Sequence, residues 1–288
     1  MNKIGFIGLG TMGYPMAGFL RKQFDSVTVY NRTESKSLKW QAEYAGSIAK
    51  TPKILAEHCD VIITCVGNDQ DLESLYFGAE GLLNNAPKGT FFIDHTTSSA
   101  QLAKSIYAQA EAAGHTFFDA PISGGQSGAE SGQLAIMVGG AESKLTFIKS
   151  ILQAYGKTIV YIGPAGSGQY AKMCNQICIA GVLAGLSESL QLAETVGLPI
   201  DRLTQVLSAG AAGSWQLENR MQSMHARDFD FGFAIDWMRK DLGFCLAEAN
   251  QLNIKLPVTQ SVDTSYASLQ SKGLGRADTS VLVTVFDD

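Results

Sequence analysis

Apolar positions along the chain follow two regimes that change over near residue 163. In the first, short runs at 3–7, 26–30, 60–66, 90–94, 116–119, 135–138 and 158–161 have the length and make-up of strands. The run at 60–66 is so rich in β-branched residues that it reads as a strand buried on both faces. Between these runs lie helix-compatible stretches at 14–24, 34–44, 52–57, 99–113 and 141–155. Strands alternating with helices in this way predict an α/β domain, a doubly wound sheet with helices on both faces.

The second regime opens after Gly163, Pro164, Ala165 and Gly166. Residues 169–196 contain no proline and read as one helix of about 28 residues, roughly 40 Å long at 1.5 Å per residue. It is apolar on most faces and carries the small residues Ala180, Gly181, Ala184 and Gly185, so several neighbours must pack on it. That much apolar surface predicts contact between subunits, in a homodimer or a homotetramer. Further helices are expected at 200–208, 216–224, 235–251 and 258–272, with no strand pattern before the last few residues. The predicted organisation is a doubly wound domain over 1–163 and an all-helical domain over 164–288, joined by the long helix.

The glycines sharpen this picture. Gly8, Gly10 and Gly13 follow the first strand in G-x-G-x-x-G spacing and open the first helix. Gly8 permits a tight turn, Gly10 lets a pyrophosphate approach the backbone, and Gly13 lets the helix pack close to the strand. With Leu9, Thr11 and Met12 they present backbone N–H groups and the positive end of a helix to an anion. The strand before, the helix after and the next strand closing a βαβ unit make this a dinucleotide site, the plainer alternative being an ordinary tight turn. At the exit of the second strand stand Asn31, Arg32 and Thr33. An acid there holds a ribose 2′-hydroxyl, whereas a guanidinium binds a 2′-phosphate through charge-assisted hydrogen bonds. The expected cofactor is therefore NADP, with NAD possible; the alternative is a solvated loop arginine. Val66 ends the strand at 60–66, and ligands bind at the carboxyl ends of strands in such sheets. His95 occupies the same kind of position, either as a catalytic base or as a histidine hydrogen-bonded within its loop.

Charge and cysteine usage exclude some classes. The 288 residues carry a net charge of −5, which speaks against nucleic-acid and acidic-membrane partners. No uninterrupted apolar run reaches the ~18–20 residues of a spanning helix, and no signal peptide is expected ahead of the first strand. The five cysteines show neither a C-x-x-C pair nor metal spacing with the histidines, which reads as a reduced, cytoplasmic protein without a metal. Cys174 and Cys178 share a helix face and are expected in a helix core rather than as a redox pair.

Two stretches carry further chemistry. Asp119-Ala120-Pro121-Ile122-Ser123-Gly124-Gly125 ends a strand on one hydroxyl followed by unhindered backbone N–H groups. That suits a small carboxylate substrate, unless it is only a flexible loop. Gly168, Lys172 and Asn175 lie at i, i+4 and i+7, on one face at the start of the long helix. Lys172 precedes a strongly apolar run. Either its ammonium enters a polar site, where a carbonyl reductase needs a proton donor, or it snorkels to solvent.

With these motifs in hand, the chain resembles the β-hydroxyacid dehydrogenase family. That family includes 3-hydroxyisobutyrate dehydrogenase, tartronate semialdehyde reductase and the glyoxylate/succinic semialdehyde reductases. The likeness spans the chain through Gly8-x-Gly10-x-x-Gly13, Asp119 to Gly125, Gly168-x-x-x-Lys172-x-x-Asn175 and Lys240-Asp241-Leu242. It implies a Rossmann-type first domain, Lys172 as the catalytic residue, and Ser123, Gly124, Gly125 and Asn175 around the substrate. Thr96 and Lys240 would lie by the nicotinamide. Gln176 departs from the asparagine frequent in the family, and Asn31-Arg32-Thr33 is closer to its NADPH-using members. An imine reductase of the same architecture is the rival enzyme, but those typically lack the lysine. A non-catalytic, cofactor-binding scaffold has no reason to keep Lys172, Asn175 and Ser123 together.

Overall fold

A computed structural model describes residues 3–287. Met1 and Asn2, at the head of the glycine-bearing stretch, lie outside the described residues. The chain divides into two compact units, Met1–Lys172 and Met173–Asp288.

The first unit is built on a nine-stranded sheet. In chain order it contains β1 (Ile4–Ile7), α1 (Gly13–Gln23), β2 (Val27–Tyr30), α2 (Glu34–Tyr44), β3 (Ser47–Ile48), α3 (Pro52–Ala56) and β4 (Val61–Thr64). There follow α4 (Asp69–Phe77), α5 (Leu82–Asn85), β5 (Phe91–Asp94), α6 (Ala100–Ala112), β6 (Thr116–Asp119), β7 (Ile122–Ser123) and α7 (Gly125–Glu130). β8 (Leu134–Gly140), α8 (Leu145–Leu152) and β9 (Gly156–Gly163) complete the sheet. The strand order is β3-β2-β1-β4-β5-β6-β8-β7, with β9 on β8. The strands from β3 to β6 are all parallel, while β8 runs antiparallel to both β6 and β7.

Side-chain alternation distributes the sheet's apolar residues between two cores. Phe6, Val29, Ile63, Ile93 and Phe118 face one of them, with Met16 and Leu20 of α1 and Ile148 and Leu152 of α8. Their neighbours Ile7, Ile62, Phe92 and Phe117 face the other, with Leu55 of α3, Leu72 of α4 and Ile106 of α6. Strands covered on both faces account for the unbroken apolar runs.

Among the described residues, the second unit has no named strand. The long helix α9 (Ser167–Thr195) leads into α10 (Ile200–Ser208), α11 (Trp215–His225), α12 (Ile235–Leu252) and α13 (Pro257–Leu269). α9 lends Ala180 and Leu183 to one core with Met238, Leu242 and Tyr266. Further along it lends Leu186 and Leu190 to a second core with Leu217 and Met221.

Three expectations are corrected. The last residues form 3-10 turns over Thr279–Phe286, not a strand. α9 does have the length and apolarity of a spanning helix, with a mean hydropathy of 1.3 over its most apolar window. Counting unbroken runs missed this because Asn175, Gln176, Ser187 and Glu188 interrupt a segment whose average is still high. Cys174 and Cys178 are exposed, because the buried face of α9 runs through Met173, Gln176, Ala180 and Leu183 instead.

Candidate active site

The glycine turn leaves the carboxyl end of β1. Gly8 has φ +102°, and a Cβ there would stand 2.1 Å from the Cys65 carbonyl oxygen. A Cβ on Gly13 would meet the Gly8 carbonyl oxygen at 1.9 Å, which is the close helix–strand approach expected of that position. Around Gly10 there is open space. α1 starts without a side-chain cap and without an acid in its first turn. The positive end of the helix therefore suits an anion, and this cradle fits a dinucleotide pyrophosphate.

The turn is braced from β2. Leu9 donates its N–H to Asn31 Oδ1 at 2.9 Å, and Asn31 Nδ2 donates to the Thr33 carbonyl oxygen at 3.0 Å. The Asn31 carboxamide thus holds the loop in shape. Arg32 is 86% exposed and its Nη1 lies 3.2 Å from Asp71 Oδ1. Thr11 and Thr33 are also exposed and Met12 is half-buried.

Val66 and Thr96 are joined directly, the Val66 N–H donating to Thr96 Oγ1 at 3.0 Å. Behind them is a buried network. The Thr96 N–H and the Thr64 hydroxyl both donate to Asp94 Oδ1, at 3.1 and 2.7 Å. Burial pushes the Asp94 carboxyl up to about 7 against the pull of those two donors. Gln169 Nε2 donates to the Thr96 carbonyl oxygen at 2.8 Å, and Gln169 Oε1 accepts the Ser98 N–H at 3.1 Å. His95 is buried, with Nδ1 2.6 Å from the Ala120 carbonyl oxygen and Nε2 2.8 Å from the Tyr155 hydroxyl. Both ring nitrogens are thus taken up within the fold and burial lowers its pKa to about 4, so His95 braces its loop.

Lys172 is only 8% exposed. Its Nζ donates to the carbonyl oxygen of Ile122 at 2.9 Å. Ile122 and Ser123 form β7, and Gly124 (φ +132°) and Gly125 (φ +61°) turn the chain into α7. The ammonium is therefore one peptide away from Ser123, and the glycines supply backbone conformations that other residues rarely adopt.

Asp119, at the end of β6, sets the start of α9. Its Oδ1 accepts the Gly166 N–H at 2.8 Å and its Oδ2 the Gln169 N–H at 3.0 Å. Burial raises this carboxyl to about 6, opposed by the backbone N–H groups that it accepts. A Cβ on Gly168 would lie 2.5 Å from the Asp119 carbonyl oxygen, so strand and helix meet there with no room for a side chain.

In the second unit Asn175 and Lys240 are linked through two intermediaries. Asn175 Nδ2 donates to Gln176 Oε1 at 2.8 Å, and Gln176 Nε2 donates to Asp241 Oδ2 at 2.7 Å. Lys240 Nζ lies 3.3 Å from Asp241 Oδ1 and sits over the rings of Trp237 and Phe244.

Comparison with known proteins bears on both halves of the chain. Residues 3–163 match the model described as the NAD binding domain of 6-phosphogluconate dehydrogenase. Residues 166–286 match the NAD-binding model of NADP-dependent 3-hydroxyisobutyrate dehydrogenase. An oxidoreductase of Shewanella frigidimarina is 48% identical, over 98% of this chain and 97% of that one. The mitochondrial 3-hydroxyisobutyrate dehydrogenase of Drosophila melanogaster is 35% identical, over 98% of this chain and 88% of its own. A structure of Mycobacterium tuberculosis 3-hydroxyisobutyrate dehydrogenase with L-serine superposes with a TM-score of 0.90 at 29% identity, covering 100% of both chains.

The chain belongs to the β-hydroxyacid dehydrogenase family. As a member of it, the chain is an NAD(P)-dependent dehydrogenase.

Sequence reading missed several residues of this dehydrogenase's site. Asp119 was visible only as the first letter of a motif, although a carboxylate at a strand's carboxyl end beside a helix start is a recognisable cap. Asn31, expected at the cofactor, braces the glycine loop. The helix α4 is absent from the helices the sequence predicts, yet Asn68 accepts the Asp71 N–H at 2.9 Å. An Asn followed by Asp69 and Asp71 is an N-terminal helix signal.

Proposed function

We infer that this dehydrogenase interconverts a small β-hydroxy acid and its semialdehyde, using NADP(H) in preference to NAD(H), as a cytoplasmic enzyme. The observation that carries this reading is the buried Lys172 ammonium, anchored at Ile122 and adjacent to Ser123. The related enzymes are named for 3-hydroxyisobutyrate, and one was solved with L-serine. Both molecules combine a carboxylate with a hydroxyl on the β-carbon.

The bound dinucleotide supplies the hydride. The remaining work falls to the protein. The Ser123 hydroxyl and the Gly124 N–H hold the substrate carboxylate, with Gly125 freeing the turn. Asn175, one turn along α9 from Lys172, hydrogen-bonds to the substrate. As negative charge develops on the carbonyl oxygen, Lys172 Nζ gives it a proton, and the neutral amine takes the proton back when the alcohol is oxidised. Val66 and Thr96, joined by a hydrogen bond, would line the nicotinamide end. Gly8 to Gly13 cradle the pyrophosphate, and Arg32 pairs with the 2′-phosphate.

The test is NADPH oxidation with the semialdehydes of methylmalonate, tartronate and succinate and with glyoxylate. Turnover with at least one, abolished by Lys172→Ala, supports the reading. No oxidation of NADPH or NADH with any of the four would overturn it. The imine-reductase and scaffold alternatives are not favoured, since Lys172, Ser123 and Asn175 are all present.

A further inference from the structure

We propose that Gln176 and Asp241 are positioning residues, forming a relay that fixes which end of the Asn175 carboxamide is turned to the substrate. The proposal rests on the reading of Asn175 as a substrate-binding residue.

Gln176 and Asp241 are 1% and 3% exposed, so water does not compete for their polar atoms. Gln176 Nε2 donates to Asp241 Oδ2 at 2.7 Å and to Met238 Sδ at 3.6 Å. A thioether and a carboxylate are both acceptors without a hydrogen to give. The Lys240 ammonium stands 3.3 Å from the other Asp241 oxygen. Both hydrogens of the Gln176 amide are therefore directed at α12. Its oxygen is left facing Asn175, whose Nδ2 donates to it at 2.8 Å.

Rotating the Gln176 amide by half a turn would set its oxygen against the Asp241 oxygen and oppose two NH2 groups. In a buried pair each such mismatch leaves polar groups unsatisfied. The charge on Asp241 thus dictates the orientation of Gln176, and Gln176 dictates that of Asn175. One Asn175 N–H is committed inward and the carboxamide oxygen lies at the opposite end of the group. That oxygen matches a substrate group able to donate, a hydroxyl, and disfavours a carboxylate oxygen in the same place. The relay also gives Gln176 a role of its own. An asparagine there is one methylene shorter, about 1.5 Å, which would stretch the 2.7 Å contact with Asp241 beyond hydrogen-bonding distance.

The experiment uses the full-length enzyme, NADPH and the aldehyde of the panel with the highest kcat/KM. Asp241→Asn preserves shape but removes the constraint, because an asparagine amide can present either end to Gln176. Gln176→Leu removes the relay's middle. Each is expected to raise the substrate KM by about tenfold, with the larger effect on KM rather than kcat and the NADPH Kd within about twofold of wild type. The Asp241→Asn/Gln176→Leu double variant should be no worse than the worse single one, since both break the same chain. Additive effects, or an unchanged substrate KM in Asp241→Asn while Asn175→Ala raises it, overturn the relay alone. An unchanged KM in Asn175→Ala removes the reading on which it rests. If Gln176→Leu fails to fold, the isosteric Asp241→Asn still decides.

Discussion

Lys172 Nζ and the Ile122 carbonyl oxygen are 2.9 Å apart, which ties the ammonium of α9 to the peptide just before Ser123. A snorkelling lysine would have carried its charge to solvent; this one keeps it beside β7. If it is the proton donor, Lys172→Ala should bind NADPH normally and lose at least about a hundredfold in turnover, the usual scale of general acid catalysis. Lys172→Arg should not restore activity, because a guanidinium does not release its proton near neutrality. Near-normal turnover of the arginine variant would assign Lys172 to charge stabilisation alone.

Cofactor preference turns on Arg32. Its guanidinium stands exposed beside Asp71, in a surface pair that a 2′-phosphate with two charges can displace at little cost. Arg32→Ala should raise the KM for NADPH by about tenfold or more, as the loss of a charged hydrogen bond implies, and leave NADH kinetics nearly unchanged. Equal losses with both cofactors would mean that Arg32 serves the loop and not the phosphate.

How far the sequence carried this picture depends on what each residue answers to. Apolar patterns report burial, so the short unbroken runs marked strands such as β1, whose Phe6 and Ile7 enter opposite cores, and the segments 34–44 and 200–208 coincide with α2 and α10. Glycine spacing reports backbone approach, which is why the turn at Gly8 to Gly13 was legible. Polar residues that brace other residues leave no such period. Asp119 under the start of α9, Asp94 beside Thr64, and Gln176 against Asp241 depend on contacts at long sequence separation. Only the folded chain brings those partners together. The short elements β3, β7 and α7 were missed for a related reason, since two to six residues carry too little pattern to stand out.

Assembly is a separate expectation. Leu192 on α9 and Val196 just past its end are 65% and 60% exposed, beyond the exposed Cys174 and Cys178. Burying such a strip against a second copy removes apolar area from water at about 25 cal/mol per Å². Light scattering at micromolar concentration should give at least about twice the 30.8 kDa chain mass. Leu192→Lys should shift the particle towards the monomer. A wild-type particle of single-chain mass would rule the contact out.

Asp94 makes the clearest pH prediction. Burial lifts its carboxyl from 3.8 to about 7, against the donors Thr64 and Thr96 and with a smaller push from Asp119. Between those values the folded chain keeps a proton that the unfolded chain has released. The contribution of this group is therefore complete below about pH 4 and lost as pH rises through about 7. Asp119, raised to about 6, acts in the same direction. His95, lowered to about 4, acts in the opposite one, losing its contribution as pH falls. Both are present in wild type and in Asp94→Asn, so a comparison of the two isolates Asp94. Asparagine keeps an oxygen for the Thr64 and Thr96 donors and never ionises. The Tm of Asp94→Asn relative to wild type should climb from about pH 5 to about pH 8, tracking a free-energy change of roughly 2–3 kcal/mol. A difference that stays flat over that range would mean that Asp94 is already ionised in the native state at about pH 5.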